Sequence, residues 1–356
     1  MNQKFKAPKK GESFRSPKKV ILVTTLALTS SLVGYTGYQH YQDYREEQRL
    51  IALENERLAH LNVESLDLAF ILNKVDELGG KDHQLHWKEL TAIAAVKTGN
   101  YTDQITEEQL VSLAEQFLVR ESGTVADFET VLALNLQEVP EDPAGIEGLS
   151  RKEKSELIVK REQIINENER FKTLANQYLN DLTYVGYTPE KLLPEAKEAQ
   201  FIESIQAGAV ENYHEYGILP SITIAQAILE SNWGTSELAT KGNNLFGVKV
   251  GYDWKGQTIT MDTREYYDTW IKDEFRKYEN PADSILDHGK FLVDNPRYAE
   301  AGVFDHETYR QQALALQEAG YSTDQDEEGN YVYAEKLGAL IRQYNLQLID
   351  HDVLHP

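Results

Sequence analysis

Residues 220–234, P-S-I-T-I-A-Q-A-I-L-E-S-N-W-G, constrain this chain more than any other stretch. They read as a short buried helix that ends on a carboxylate. Pro220 suits a first helical turn, where its missing N–H would have had no partner anyway. Ile224, Ala225, Ile228 and Leu229 recur at helical spacing and make the core side. Gln226 and Glu230 lie four apart and stack over one another on the other side. Gly234 then marks a stop. A carboxylate beside Trp233 and apolar side chains suits a general acid, because desolvation raises its pKa. A solvated helix-end glutamate fits the same residues and is the commoner case.

The chain has 356 residues, room for two domains with appendages. Its formal net charge of −22 at pH 7 argues against nucleic acid as a partner. It has no cysteine, so disulfides and thiol catalysis are excluded. Residues 1–19 carry seven Lys/Arg against one acid, Glu12. Residues 20–38 then carry no charge at all, a length that just spans a bilayer core of about 30 Å. The basic flank keeps residues 1–19 in the cytoplasm and puts everything after Tyr38 outside. No A-x-A site follows the apolar run, so a retained single-pass anchor is expected rather than a cleaved signal peptide.

From residue 39 the sequence becomes highly charged, a solvated helix leading off the membrane. Residues 39–183 read as a helical extracytoplasmic region, with helical patterns at 63–78, 87–97, 106–120, 125–136 and 150–182. Two roles stay open for it, docking a membrane-protein partner or gating a cleft. His83 and His86 share a helix face but have no third ligand nearby, so they read as ordinary histidines. Residues 184–195 read as a linker. A helix at 196–216 then leads into the opening stretch.

The segment after Gly234 carries chemistry. Asn243, Asn244 and Gly247 mark a loop, K-G-N-N-L-F-G-V-K (241–249), in which Phe246 can line a groove. In W-K-G-Q-T-I-T-M-D-T-R-E-Y-Y (254–267), Thr258, Thr260 and Asp262 alternate with Ile259, Met261 and Thr263, a strand and small-hairpin signature. Glu265 lies near its end. A helix and a hairpin facing across a cleft can place two carboxylates about a glycosidic bond. Trp233, Phe246, Trp254, Tyr266 and Tyr267 can stack on sugar faces while Asn side chains read hydroxyls; core packing is the alternative for each aromatic.

A-Q-A-I-L-E-S-N-W-G-T-S-E-L, N-N-L-F-G-V-K, T-R-E-Y-Y, F-R-K-Y, S-I-L-D-H and N-Y-V-Y-A-E-K-L follow one another in this order. With these motifs the chain resembles the bacterial peptidoglycan N-acetylglucosaminidases of glycoside hydrolase family 73, which include the flagellar-rod muramidase domain. The resemblance covers about residues 196–346. It implies a mainly α, α+β fold: a lysozyme-like catalytic domain at 196–350 with a small β-hairpin lobe. It implies cleavage of the β-1,4 bond after N-acetylglucosamine in peptidoglycan, with no cofactor. By resemblance Glu230 is the general acid, Glu265 the second carboxylate, and Tyr333 a tyrosine needed near the cleft. Gln226, Trp233, Asn244, Phe246, Tyr266 and Tyr321 are the expected substrate contacts. Glu265 as general base and assistance by the substrate N-acetyl group both remain open, as do a muramidase or lytic transglycosylase activity and a non-catalytic glycan-binding scaffold.

One departure stands out. Where relatives have a compact G-Y-A-T-D-P-x-Y-A turn, Gly320-Tyr321-Ser322-Thr323 runs into an acidic insertion. Asp324, Asp326, Glu328, Gly329 and Glu335 fall on positions 1, 3, 5, 6 and 12 of a calcium-loop pattern. A solvated acidic turn is the favoured reading, and no metal is expected.

Overall fold

A computed structural model of the chain describes residues 36–119, 124–252, 254–265 and 269–355, with side chains placed at all of these except 36–43, 263–265 and 269–271. The basic tail and all but the last three residues of the uncharged run lie outside the described residues. Among the described residues no helix is long and apolar enough to cross a membrane. The chain divides into two bodies, one ending at Glu56 and one running from Arg57 to the C-terminus. Helix α1 (Thr36–Leu58), the expected solvated helix, makes up the described part of the first, and its last two residues, Arg57 and Leu58, are counted with the second.

The second body has two apolar cores. The first is built from α2 (Leu68–Gly79), α3 (Trp87–Lys97), α4 (Glu107–Phe117), α5 (Phe128–Leu134) and α6 (Arg151–Asp181), with a two-residue hairpin of β1 (Leu118–Val119) and β2 (Thr124–Val125). Leu72, Trp87, Leu90, Ile93, Leu110, Phe117 and Tyr178 fill it. The helix expected from residue 63 starts only at Leu68, because the Asp67 carboxylate accepts the Phe70 N–H and caps it there. Reciprocal capping boxes, Thr106 with Gln109 and Ser150 with Glu153, start α4 and α6. The buried residues of α6 are Asn168, Ala175 and Tyr178, all in its C-terminal half, as its charged N-terminal half requires.

The second core holds α7 (Pro189–Leu192), α8 (Lys197–Tyr216), α9 (Pro220–Ser231), α10 (Glu237–Gly242), α11 (Pro281–Asp294), α12 (Pro296–Glu300), α13 (Tyr309–Glu318), α14 (Tyr333–Gln343) and α15 (Gln347–Leu354). The predicted hairpin is present as antiparallel β3 (Gln257–Glu265) and β4 (Thr269–Lys277). Helix α9 is the centre of this core: α8, α13, α14 and α15 all pack on it, and every residue from Pro220 to Ile228 is buried. Burying Ile222, Ile224 and Ile228 supplies about 1.5–3 kcal/mol each.

Helix α11 crosses α8 closely at Gly289. A Cβ there would sit 1.9 Å from Asn212 Oδ1. Asn212 cannot yield, because it is fully buried and its Nδ2 donates to Thr223 Oγ1 of α9 at 3.0 Å. Gly289→Ala gains about 1 kcal/mol of helix propensity, but overpacking costs more. It is expected to destabilise the protein by about 2 kcal/mol in chemical denaturation.

The two cores are joined. The Tyr309 hydroxyl of α13 donates to the buried Asp76 carboxylate of α2, and Arg310 donates to the Asp76 and Gly80 carbonyls. The segment expected as a linker takes part in this packing: Val185 packs on the first core and Leu192 on the second. Asn345 Nδ2 donates to the Val185 carbonyl at 2.9 Å. His86 caps α3 by accepting the Glu89 N–H, and its ring lies 5.1 Å from that of His351.

Candidate active site

Helix α9 ends in a sharp reversal that sets Glu230 at the rim of a groove. Ser231 Oγ donates back to the Ala227 carbonyl at 2.5 Å and accepts the Gly234 N–H at 2.7 Å. Asn232 (φ 51°) and Trp233 (φ 60°) both take the left-handed conformation, rare for a tryptophan. Gly234, at φ 67°, is pressed against Phe201, where a Cβ would meet the ring at 2.6 Å. The reversal directs Glu230 one way and Trp233 the other.

Glu230 lines a groove of about 630 Å³ and is open to solvent on that side. Tyr333, the first residue of α14, donates its hydroxyl to Glu230 Oε1 at 3.1 Å. Gln226 Nε2, one turn earlier on α9, donates to the same hydroxyl at 3.1 Å. The protein crowding the carboxyl raises its pKa above the ordinary value, and the Tyr333 hydrogen bond opposes that shift. A glycan filling the groove would displace the remaining water and push it further up.

An aromatic wall continues from Tyr333. Tyr321 stacks on it with ring centroids 5.3 Å apart, and the Tyr321 hydroxyl lies 3.0 Å from His288 Nε2. His288 is buried and stacks on Phe246 at 3.9 Å. Burial pushes its pKa down to about 3, so it is neutral at physiological pH. Tyr298 follows, 6.3 Å from Tyr321. Phe246, His288, Tyr298 and Tyr321 all line the groove with Glu230.

The hairpin is tied to this groove through the loop before it. Val250 N–H donates to the Glu274 carbonyl, and Arg276 N–H to the Val248 carbonyl, so residues 248–250 run along β4. Asn244 staples that loop, accepting the Val248 N–H and donating to the Val248 and Arg276 carbonyls. Arg276 is locked on Asp287 at 2.7 Å, and Lys249 pairs with Asp273 at 2.7 Å. Glu265 pairs with Thr269 and closes the hairpin register at its tip. The side chain of Glu265 and the whole of Tyr266 lie outside the described residues.

The site thus brings Glu230, Tyr333, Gln226, Phe246 and Tyr321 together. Three expected contacts act otherwise. Gln226 is fully buried and orients Tyr333 rather than facing a sugar. Asn244 is buried and spends its amide on the loop. Trp233 packs edge-on against Tyr344 (4.8 Å) and Phe201 (5.9 Å) and is not among the groove residues. The calcium-loop carboxylates do not converge. Asp324 pairs with Lys336 at 2.8 Å, and Asp326 accepts the N–H and side-chain amide of Asn330. Among the described residues no group of three His, Asp or Glu side chains could hold a metal ion. His288, which closes the S-I-L-D-H motif, and Arg297 line the groove beyond the expected contacts. His288 lies four residues beyond Ser284 on the buried face of α11, a spacing that could have marked it.

Residues 206–346 match the glucosaminidase family described as mannosyl-glycoprotein endo-beta-N-acetylglucosaminidase. The chain is 42% identical over 162 residues to the exo-glucosaminidase LytG of Bacillus subtilis (strain 168), covering 44% of this chain and 54% of LytG. It is 35% identical over 153 residues to the peptidoglycan hydrolase FlgJ of Vibrio parahaemolyticus, covering 40% of this chain and 47% of FlgJ. The chain therefore spans about half the length of these relatives. Among solved structures, the catalytic domain of the autolysin Auto from Listeria monocytogenes is 34% identical, with 43% of this chain and 87% of that domain covered and a TM-score of 0.37.

Proposed function

We propose that this chain, whose residues 206–346 belong to the glucosaminidase family of glycoside hydrolases, cleaves the β-1,4 bond between N-acetylglucosamine and N-acetylmuramic acid in peptidoglycan, with Glu230 as its general acid. The observation that carries this reading is Glu230 itself: a carboxyl on a groove, with a raised pKa and a tyrosine hydroxyl on one oxygen. Such a group is protonated over a wider pH range than a free glutamate, so it can donate to the leaving glycosidic oxygen. Tyr333 fixes the carboxyl's orientation, and Gln226 fixes Tyr333. Phe246 and Tyr321 line the groove in which the sugar rings lie. Glu265, at the end of β3, is the second carboxylate, activating water or assisting the substrate N-acetyl group. The helical core around α9 and the β3–β4 hairpin fit the helical and β lobes of a lysozyme-like fold. The basic tail and uncharged run anchor the protein in the cell membrane with the catalytic part outside, so cleavage is confined to glycan near the membrane.

Mass spectrometry of digested peptidoglycan tests the bond: products with N-acetylglucosamine at the reducing end are expected. Reducing-end muramic acid would make the protein a muramidase, and anhydro-muramic ends a lytic transglycosylase. The name of LytG favours an exo reading as the alternative to endo cleavage. Early in digestion, an endo enzyme shortens long strands into a broad ladder, whereas an exo enzyme releases small fragments from nearly intact strands. Recovery of the full-length protein in the membrane fraction is expected, and a shortened form in the medium would remove the anchor.

A further inference from the structure

We propose that Arg297 forms a carboxylate-binding subsite in the groove, through which the protein selects glycans whose sugars or substituents carry carboxylates. The proposal rests on the glycan-cleaving reading of the groove and adds the class of substituent it prefers. Three cations line the groove: Lys249, Arg276 and Arg297. Lys249 is neutralised by Asp273 and Arg276 by Asp287. Among the described residues no carboxylate pairs with Arg297.

Arg297 is nevertheless held in place. Its guanidinium carbon lies 4.7 Å from the ring centroid of Tyr298, and Nη2 donates to the Tyr298 hydroxyl at 2.6 Å. Tyr298 is itself almost fully buried and so forms a fixed plate beneath an exposed cation. A guanidinium already oriented by a ring loses little freedom when it takes up a carboxylate with its remaining N–H groups. The ring series Tyr298, Tyr321, Tyr333 connects it to Glu230 along one wall, with centroid steps of 6.3 and 5.3 Å. A glycan bound with one bond at Glu230 thus presents a neighbouring sugar to Arg297.

Charge makes this subsite matter. The chain carries a net charge of −22 and repels an anionic polymer at long range. A local, unneutralised cation inside the groove offsets that repulsion where it counts. N-acetylglucosamine has no acidic group. A muramic acid residue carries a lactyl carboxyl, free in peptide-free strands; in peptide-bearing strands that carboxyl is amide-linked and the free carboxylates sit on the stem.

The test is equilibrium binding in the Glu230→Gln full-length protein, which is expected to turn over its ligand about 10³-fold more slowly than wild type. Three soluble glycan preparations are compared: peptide-free strands, peptide-bearing strands, and peptide-free strands with their carboxyls capped as methylamides. Adding Arg297→Gln is expected to weaken binding of at least one carboxylate-bearing preparation about tenfold relative to the capped strands, with Arg297→Lys intermediate. Loss confined to peptide-free strands assigns the lactyl carboxylate; loss confined to peptide-bearing strands assigns the stem. Unchanged discrimination, or an equal loss on all three, overturns the proposal, the latter because it would show only a damaged groove wall. Failure of the wild-type protein to release reducing-end N-acetylglucosamine would instead remove the functional reading beneath it.

Discussion

Glu230→Gln is expected to lower the turnover of cell-wall glycan by about 10³-fold, the size of a general-acid contribution. Glutamine keeps the shape and still accepts from the Tyr333 hydroxyl, so folding and glycan binding should be preserved and the loss should appear in kcat rather than KM. Tyr333→Phe separates orientation from proton transfer. It removes the hydrogen bond on Glu230 Oε1, leaves the ring stack with Tyr321, and should cost about tenfold. The two variants also differ in pH dependence. A general acid works while protonated, so activity falls as pH rises through its pKa. Burial raises that pKa in Glu230, and the Tyr333 hydrogen bond lowers it by favouring the charged form. Without the hydroxyl the pKa rises further, and the alkaline limb of the kcat profile should move to higher pH in Tyr333→Phe. Reducing-sugar release across a pH series reads both effects. Turnover by Glu230→Gln at more than a tenth of the wild-type rate, or an alkaline limb that moves down in Tyr333→Phe, would remove Glu230 from the acid's place.

What could be read in advance follows the range of the interactions. Helix α9 was legible because its apolar spacing and Pro220 are local, although its left-handed cap is Asn232 rather than Gly234, and the alternation at 258–263 marked the hairpin for the same reason. Trp233 misled because an aromatic beside a candidate acid looks like a sugar platform. Two successive left-handed residues turn it to Phe201 and Tyr344 instead, and nothing in single-residue chemistry announces that turn. Asn244 misled for a related reason: a loop asparagine reads hydroxyls or closes its own loop equally well, and here the loop's carbonyls claim it. The acidic insertion matched a metal pattern by position, but Lys336 and Asn330 already occupy two of its carboxylates. The contact of Asp76 with Tyr309 spans 233 residues, beyond the reach of any periodicity.

The largest expected loss of stability also lies in a long-range contact. Asp350→Ala should cost about 3 kcal/mol in chemical denaturation. Helix α9 begins without a side-chain cap, because its N-cap residue is Leu219. The first turn is served from elsewhere in the chain: Gln312 Oε1 accepts the Leu219 N–H, and Asp350 of α15 accepts the Ser221 N–H at 2.8 Å and its hydroxyl at 2.5 Å. Alanine would leave both Ser221 donors buried without a partner and remove an acceptor from a helix N-terminus. Burial raises the Asp350 pKa to about 7, against the opposing effect of the Ser221 hydrogen bonds. The sign follows from linkage. Below about pH 4 the carboxyl is protonated in both folded and unfolded chains, and the contribution of the neutral group is complete. As pH rises towards 7, only the unfolded chain releases its proton, so this group's contribution falls. Asparagine mimics the protonated acid and does not titrate. The stability of wild type relative to Asp350→Asn should therefore decrease steadily between about pH 4 and pH 7 and level off above. A flat difference over that interval would mean that the carboxylate is charged in the fold and that α9 is held by an ionic cap. The activity of Asp350→Asn separates the cap from the chemistry. If α15 acts on Glu230 only by anchoring the start of its helix, this variant keeps the alkaline limb of the wild-type pH profile, because Glu230, the carboxyl proposed to set that limb, sits at the other end of α9.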